Sequence, residues 1–227
     1  MVKKQDKTEG GIVAVEEALS KTEHFIENNQ KILTIIIGVI VVAVLIFFGF
    51  KRFYMAPREQ EAKEQMYMAE KYFETDSLHL ALNGDGMYPG FLGIIEDYKM
   101  TKGANLSKYY AGICYLKLGN FEEAINYLKS FKGKDQIVGP MAKGALGDAY
   151  FELGQQAEAA DYYTEAADSH ENEFTSPLFL MKAGWTFEIL KDYKKALSSY
   201  ERIKLEFPSS TEAREIDKYI ARVKSLM

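Results

Sequence analysis

Apolar side chains are distributed along this chain in two ways. Residues 32–50, ILTIIIGVIVVAVLIFFGF, run nineteen positions without a charge, and Thr34 carries the only polar side-chain atom among them. As a helix rising about 1.5 Å per residue, the run would extend roughly 28 Å, close to the hydrocarbon thickness of a bilayer. Backbone groups in lipid need internal partners, so a helix is the form expected. A buried core helix or strand would also be apolar, but uncharged runs this long are rare in soluble cores. Elsewhere the apolar positions recur every three or four residues, the period of an amphipathic helix.

On the near side of the run, Ile12, Val15, Leu19 and Ile26 predict a short amphipathic helix over 12–27, preceded by a mobile polar stretch over 1–11. Asn28 and Asn29 are expected to break that helix and cap the next. Beyond the run, Lys51, Arg52, Phe53 and Tyr54 have the basic and aromatic character of an interfacial anchor, and Pro57 should bend or end the helix. No small-x-small cleavage site follows, so the run reads as a retained signal anchor. Ala62, Met66, Ala69 and Phe73 form one stripe. Turn residues follow at Asn83 to Gly86 and at Pro89 and Gly90, then a helix over 91–98 with Ile94, Ile95 and Tyr98 turned inward. The Asn-Gly-Asp-Gly stretch lacks the alternating oxygen ligands and terminal Glu of an EF-hand loop, so it reads as a turn.

Three segments then align in phase. Ala111-Gly112, Tyr115, Gly119, Ala124 and Leu128 match Leu146-Gly147, Tyr150, Gly154, Ala159 and Tyr163, and these match Ala183-Gly184, Phe187, Lys191, Ala196 and Tyr200. The leading glycines are 35 and then 37 residues apart. Spacing of this kind resembles the tetratricopeptide repeat, a hairpin of two helices. Gly112, Gly147 and Gly184 would allow the paired helices to approach. Tyr115, Tyr150 and Phe187 would fill the space between neighbours, and Gly119 and Gly154 would close the first helix in the left-handed conformation. Lys191 breaks that pattern, so the third turn is expected to be built differently. Ser176-Pro177 reads as an N-cap followed by proline at the first helical position. Ser209 and Glu212 read as a capping box for a final helix.

The expected fold is therefore all-α: one transmembrane helix followed by an α-solenoid. Its divisions are a tail with a short amphipathic helix over 1–31, an anchor over 32–50, a linker helix and divergent first helical pair over 51–104, three repeats over 105–208 and a capping helix over 209–227. In the repeat, first helices line a concave face. The resemblance implies a partner-binding groove of Leu106, Tyr109, Ile113, Leu116, Met141, Asp148, Phe151, Leu178, Met181, Trp185 and Glu188.

Charge and composition narrow the function. A net charge of −5 gives no electrostatic footprint for nucleic acid, and 13% aromatic residues are too many for a disordered tail. The single cysteine, Cys114, makes neither an internal disulfide nor a zinc site. His24, His79 and His170 have no ligand-spaced partners, and neither a phosphate loop nor a nucleophile elbow is present. No catalytic residue, metal, cofactor or small-molecule substrate is expected, and partners should be proteins.

The layout as a whole, with Ala81-Leu82-Asn83-Gly84-Asp85, Tyr109-Tyr110-Ala111-Gly112 and Leu146-Gly147-Asp148-Ala149-Tyr150, resembles the YfgM-like tetratricopeptide family in its Bacteroidetes form. That resemblance implies an ancillary subunit of the SecYEG translocon in the bacterial inner membrane. The N-terminus would be cytoplasmic and the repeats periplasmic, meeting translocon subunits, periplasmic chaperones and client polypeptides. The flanking charges point the other way. Lys21 and Lys31 lie on the near side of the run, and Lys51, Arg52, Arg58, Lys63 and Lys71 on the far side. The positive-inside rule would put the repeats in the cytoplasm, as a scaffold for a division or envelope complex.

Overall fold

A computed structural model describes the backbone from Asp6 onward and the side chains from Glu27 onward. The side chains of the amphipathic stripe over 12–26, and the first five residues of the polar tail, lie outside the described residues. The chain forms two compact units, Met1–Pro57 and Arg58–Met227.

The first unit is a single helix, α1 (Asp6–Gly49), followed by a wide π-helical stretch, Phe50–Met55. The expected break at Asn28 and Asn29 does not occur: α1 runs through both, and through Gly10 and Gly11. An interior Asn costs only about 0.7 kcal/mol against Ala, too little to stop a helix that a long apolar run propagates. Nor does the helical backbone end at Pro57, which falls inside α2 (Ala56–Glu74). A proline lacks an N–H and crowds the carbonyl four residues earlier. The wide turn immediately before it is the local adjustment that accommodates both. Apart from half-buried Leu33, the large apolar side chains of the run are exposed, Ile35 and Phe47 among them, so this helix is not a core element within its unit. Glu27–Glu74 is long and apolar enough to cross a membrane by length and composition.

The second unit is a series of helical hairpins. They comprise α2, α3 (Leu78–Asn83), α4 (Phe91–Asp97), α5 (Lys102–Lys117), α6 (Phe121–Ser130), α7 (Val138–Glu152), α8 (Gln156–Ser169), α9 (Ser176–Ile189), α10 (Tyr193–Glu206) and α11 (Ile216–Lys224). Among the described residues the only β pairing is an isolated bridge between Gly84 and Pro89.

The leading glycines act as read from the sequence. A Cβ on Gly112 would lie 2.5 Å from the Leu128 side chain, on Gly147 2.6 Å from the Tyr163 ring and on Gly184 2.3 Å from the Tyr200 ring. Each residue struck lies sixteen positions later, on the paired helix. Tyr115 stacks on Tyr127 at 5.4 Å and Tyr150 on Tyr162 at 5.2 Å. In the third hairpin a Ser199 replaces the second ring, and the Lys195 ammonium lies over Phe187 instead.

The turns closing the hairpins overturn one expectation. Gly119 and Gly154 take φ of 78° and 74°, and Lys191 takes 60°. All three turns make the same two bonds: Asn120 N to Tyr115 O, Gln155 N to Tyr150 O and Asp192 N to Phe187 O, with the residue before each donating three positions back. The third turn is thus built like the others, because satisfying two orphan carbonyls outweighs the left-handed strain of one side chain. Asp76 repeats the pattern at φ 57°, with Ser77 N donating to Tyr72 O. Ala69, Tyr72, Asp76 and Ala81 keep the hairpin spacing seen at Gly112, Tyr115, Gly119 and Ala124. The helix after Asp76 is cut short at Asn83. There Asp85 accepts from Tyr72 Oη and from the N–H groups of Met87 and Tyr88.

Two caps lie one residue from their expected places. Thr175 is the N-cap of α9, and the Ser176 hydroxyl donates to Ala167 O instead. Ser210, not Ser209, accepts from Ala213 N, and a 3-10 turn, Glu212–Glu215, precedes α11.

Candidate functional site

Of the eleven residues expected to line one groove, all but Glu188 fall into three groups. Leu116, Asp148 and Phe151 border a recess of about 420 Å³ with Phe121, Glu152 and Lys182. Leu178, Met181 and Trp185 border a second, of about 410 Å³, lined also by Arg214, Glu215 and Tyr219. Leu106, Tyr109, Ile113 and Met141 pack partly buried against the cores. Tyr109 meets Phe131 at 5.6 Å and Tyr110 at the same distance.

The two acidic residues are held from within. Asp148 Oδ1 accepts from Tyr163 Oη at 2.6 Å and from Lys182 Nζ at 2.7 Å, and Oδ2 lies 2.9 Å from the same ammonium. One repeat later, Glu188 Oε1 accepts from Tyr200 Oη at 2.5 Å and from Arg222 Nη2 at 2.6 Å, while Oε2 accepts from Arg222 Nε at 3.0 Å. Each node joins three helices: the carboxylate on a first helix, the tyrosine on its paired helix, and a cation on the next element. Burial, with the adjacent Asp148 charge, raises the Tyr163 phenol above its ordinary range. Burial and the bond to Glu188 do the same for Tyr200. Such phenols hold their protons and serve as donors.

Lys182, Arg222 and Tyr219 escaped the sequence reading. A signal existed: Asp148 with Lys182 and Glu188 with Arg222 are both opposite charges 34 residues apart, a repeat's length.

Trp185 is the most open of the apolar groove residues, 45% exposed, with Tyr219 beside it at 6.2 Å. The recesses present apolar patches edged by charges, of which Asp148, Lys182 and Glu215 are paired, a surface suited to the contacts of another polypeptide. Cys114 is fully buried, and burial pushes its thiol up to about 12, so it is not a nucleophile. Among the described residues no group of three His, Cys, Asp or Glu is placed to hold a metal ion.

Family models of the tetratricopeptide repeat match residues 145–211 and residues 107–135. The shorter match runs from within α5 through α6, and the longer from within α7 through α10. No curated protein matches the chain. The chain carries tetratricopeptide repeats, which are typically non-catalytic modules for binding proteins.

Proposed function

We propose that the chain is a membrane-anchored protein-interaction subunit, an accessory of the protein-translocation machinery in a bacterial inner membrane. Its repeats would face the periplasm and receive translocon subunits, chaperones or emerging polypeptides. The observation that carries this is the pairing, in one chain, of a bilayer-length exposed apolar helix with repeats that leave Phe151 and Trp185 bordering open recesses. The translocon assignment rests on the resemblance to the YfgM-like family. Photo-crosslinkers at Phe151 and Trp185 test it: translocon, chaperone or secretory clients are expected, and recovery of cytosolic proteins alone would overturn it.

The flanking charges favour a second reading, a cytoplasm-facing scaffold for a division or envelope complex. Lys51, Arg52 and Lys63 lie on the repeat side of the apolar run, and Lys31 on the other. A topology reporter fused after Met227 separates the two. Activity of a periplasm-dependent reporter supports the first reading, and activity of a cytoplasm-dependent one supports the second.

A further inference from the structure

The connections that precede α5, α7 and α9 share one edge of the second unit. Arg58 donates to Asp97 O and Glu59 accepts from Lys102 N, so the segment before α5 packs on the first turn of α2. Asn105 exchanges two bonds with Lys132, bringing the segment before α7 alongside. Asn172 donates to Gln136 O and adds the segment before α9. Each segment carries one protruding apolar residue, one or two positions before the helix: Met100, Ile137 and Phe174, spaced 37 residues apart and 72%, 42% and 72% exposed.

The charge around them changes sign along the row. Lys99 and Lys102 flank Met100, and Lys132 and Lys134 precede Ile137. These four side chains are exposed and enter none of the ion pairs among the described residues. Four carboxylates lie nearby: Glu96 and Asp97, exposed, precede Lys99, and the other two are engaged by backbone N–H groups. Glu59 holds the Lys102 N–H, and Asp135 accepts from the N–H groups of Ile137 and Val138. Phe174, by contrast, follows Glu171 and Glu173.

We infer that the rim made by Lys99, Met100, Lys102, Lys132, Lys134 and Ile137 docks on the anionic headgroups of a bilayer. The lysines meet phosphates and carboxylates at the surface, and Met100 and Ile137 enter the headgroup boundary. Charge complementarity is the first support: exposed Lys beside protruding apolar residues is the composition of an interfacial contact. Chain length is the second. Arg58, which holds the first segment, follows Phe50 by eight residues, at most about 28 Å of extended chain. The inference rests on the proposed membrane anchor, since the tether is what keeps a bilayer within reach.

The test uses the full chain reconstituted in vesicles, with Met100→Cys carrying an environment-sensitive fluorophore. Buried Cys114 stays unlabelled, and Phe174→Cys is the control on the acidic segment of the same edge. In vesicles rich in anionic lipid, the probe at 100 shifts to the blue and is quenched by lipid-borne nitroxides, while the probe at 174 stays in water. Each lysine reversed to Glu lowers the docked fraction relative to the undocked by about fivefold or more. Lys99→Glu with Lys102→Glu, or neutral vesicles, should therefore abolish the quenching. Equal quenching at both positions, quenching indifferent to lipid charge, or protection at 100 only when a protein is added overturns the inference. Alkaline extraction separates the two claims. A chain retained in the vesicles with a water-exposed probe at 100 refutes the rim contact and leaves the anchor, whereas a chain that is extracted refutes both.

Discussion

Replacing Gly184 by alanine sets two effects against each other. A mid-helix Gly→Ala change favours the helix by about 1 kcal/mol. Here the added methyl would stand 2.3, 2.7 and 2.9 Å from three atoms of the Tyr200 ring. That ring is fully buried, lies 5.5 Å from Tyr219 and is tied through its hydroxyl to Glu188, so it cannot swing aside cheaply. Overpacking of this kind costs about 1–3 kcal/mol. Displacing the hydroxyl from a carboxylate costs about 1.5–3 kcal/mol more. The expected net is a destabilisation of about 2–4 kcal/mol, a fall of about 1–2 M in urea midpoint. The single tryptophan, Trp185, adjoins the site and reports it by fluorescence. In a Tyr200→Ala background the clash is gone, and Gly184→Ala should then raise the midpoint. A midpoint unchanged or raised by Gly184→Ala in the wild-type background would refute the claim that this glycine is required by ring contact.

Lys191→Gly should stabilise by about 1 kcal/mol, because it relieves a left-handed side chain while keeping both turn bonds; a lowered urea midpoint would count against the shared turn geometry. Alkaline titration should weaken the fold. Unfolded tyrosines titrate near about 10, whereas Tyr163 and Tyr200 keep their protons beyond that in the fold. Above pH of about 10 the unfolded state binds fewer protons, so stability falls by up to about 1.4 kcal/mol per pH unit for each. Tyr163→Phe should make the decline between pH 9 and about 11 shallower, as read from urea midpoints. Cys114 should resist an aromatic disulfide reagent at pH 8 and react fully once urea unfolds the chain; prompt native reaction would contradict its burial.

How much of this was legible depended on the range of the interaction. The glycine-to-ring contacts follow from spacing within one hairpin, so aligning Gly112, Gly147 and Gly184 was enough to find them. The apolar run announced itself by length alone. Lys191 misled because residue preference was read where hydrogen bonding decides. Asn28 and Asn29 misled because local breaker propensities of about a kcal/mol yield to an extended helical context, and Pro57 marks the wide turn before it rather than a helix end. The groove was harder to read. Position in the repeat assigned Asp148 and Glu188 to a shared surface, but their orientation depended on Lys182 and Arg222, which arrive from the next element. A carboxylate read alone looks available, and its partner is visible only when the repeat period is searched for opposite charges.

The two carboxylate nodes also set how the solenoid carries load. A pull on residues 32–50 enters through α2, at the opposite end of the hairpin series from both nodes. The hairpin α5–α6 has Ile113 where α7 has Asp148, and Leu128 where α8 has Tyr163. At those two positions the contact is dispersive and carries no direction, and the directed bonds of this hairpin, Asn105 with Lys132 and Lys117 with Asp76, are exposed. From α7 to α11, each directed bond would have to break before neighbours shift, and breaking one strands a partly buried charge. The hairpins from α7 to α11 should therefore resist shear more than those before α7, and displacement should concentrate in the latter while the recess beside Trp185 keeps its shape.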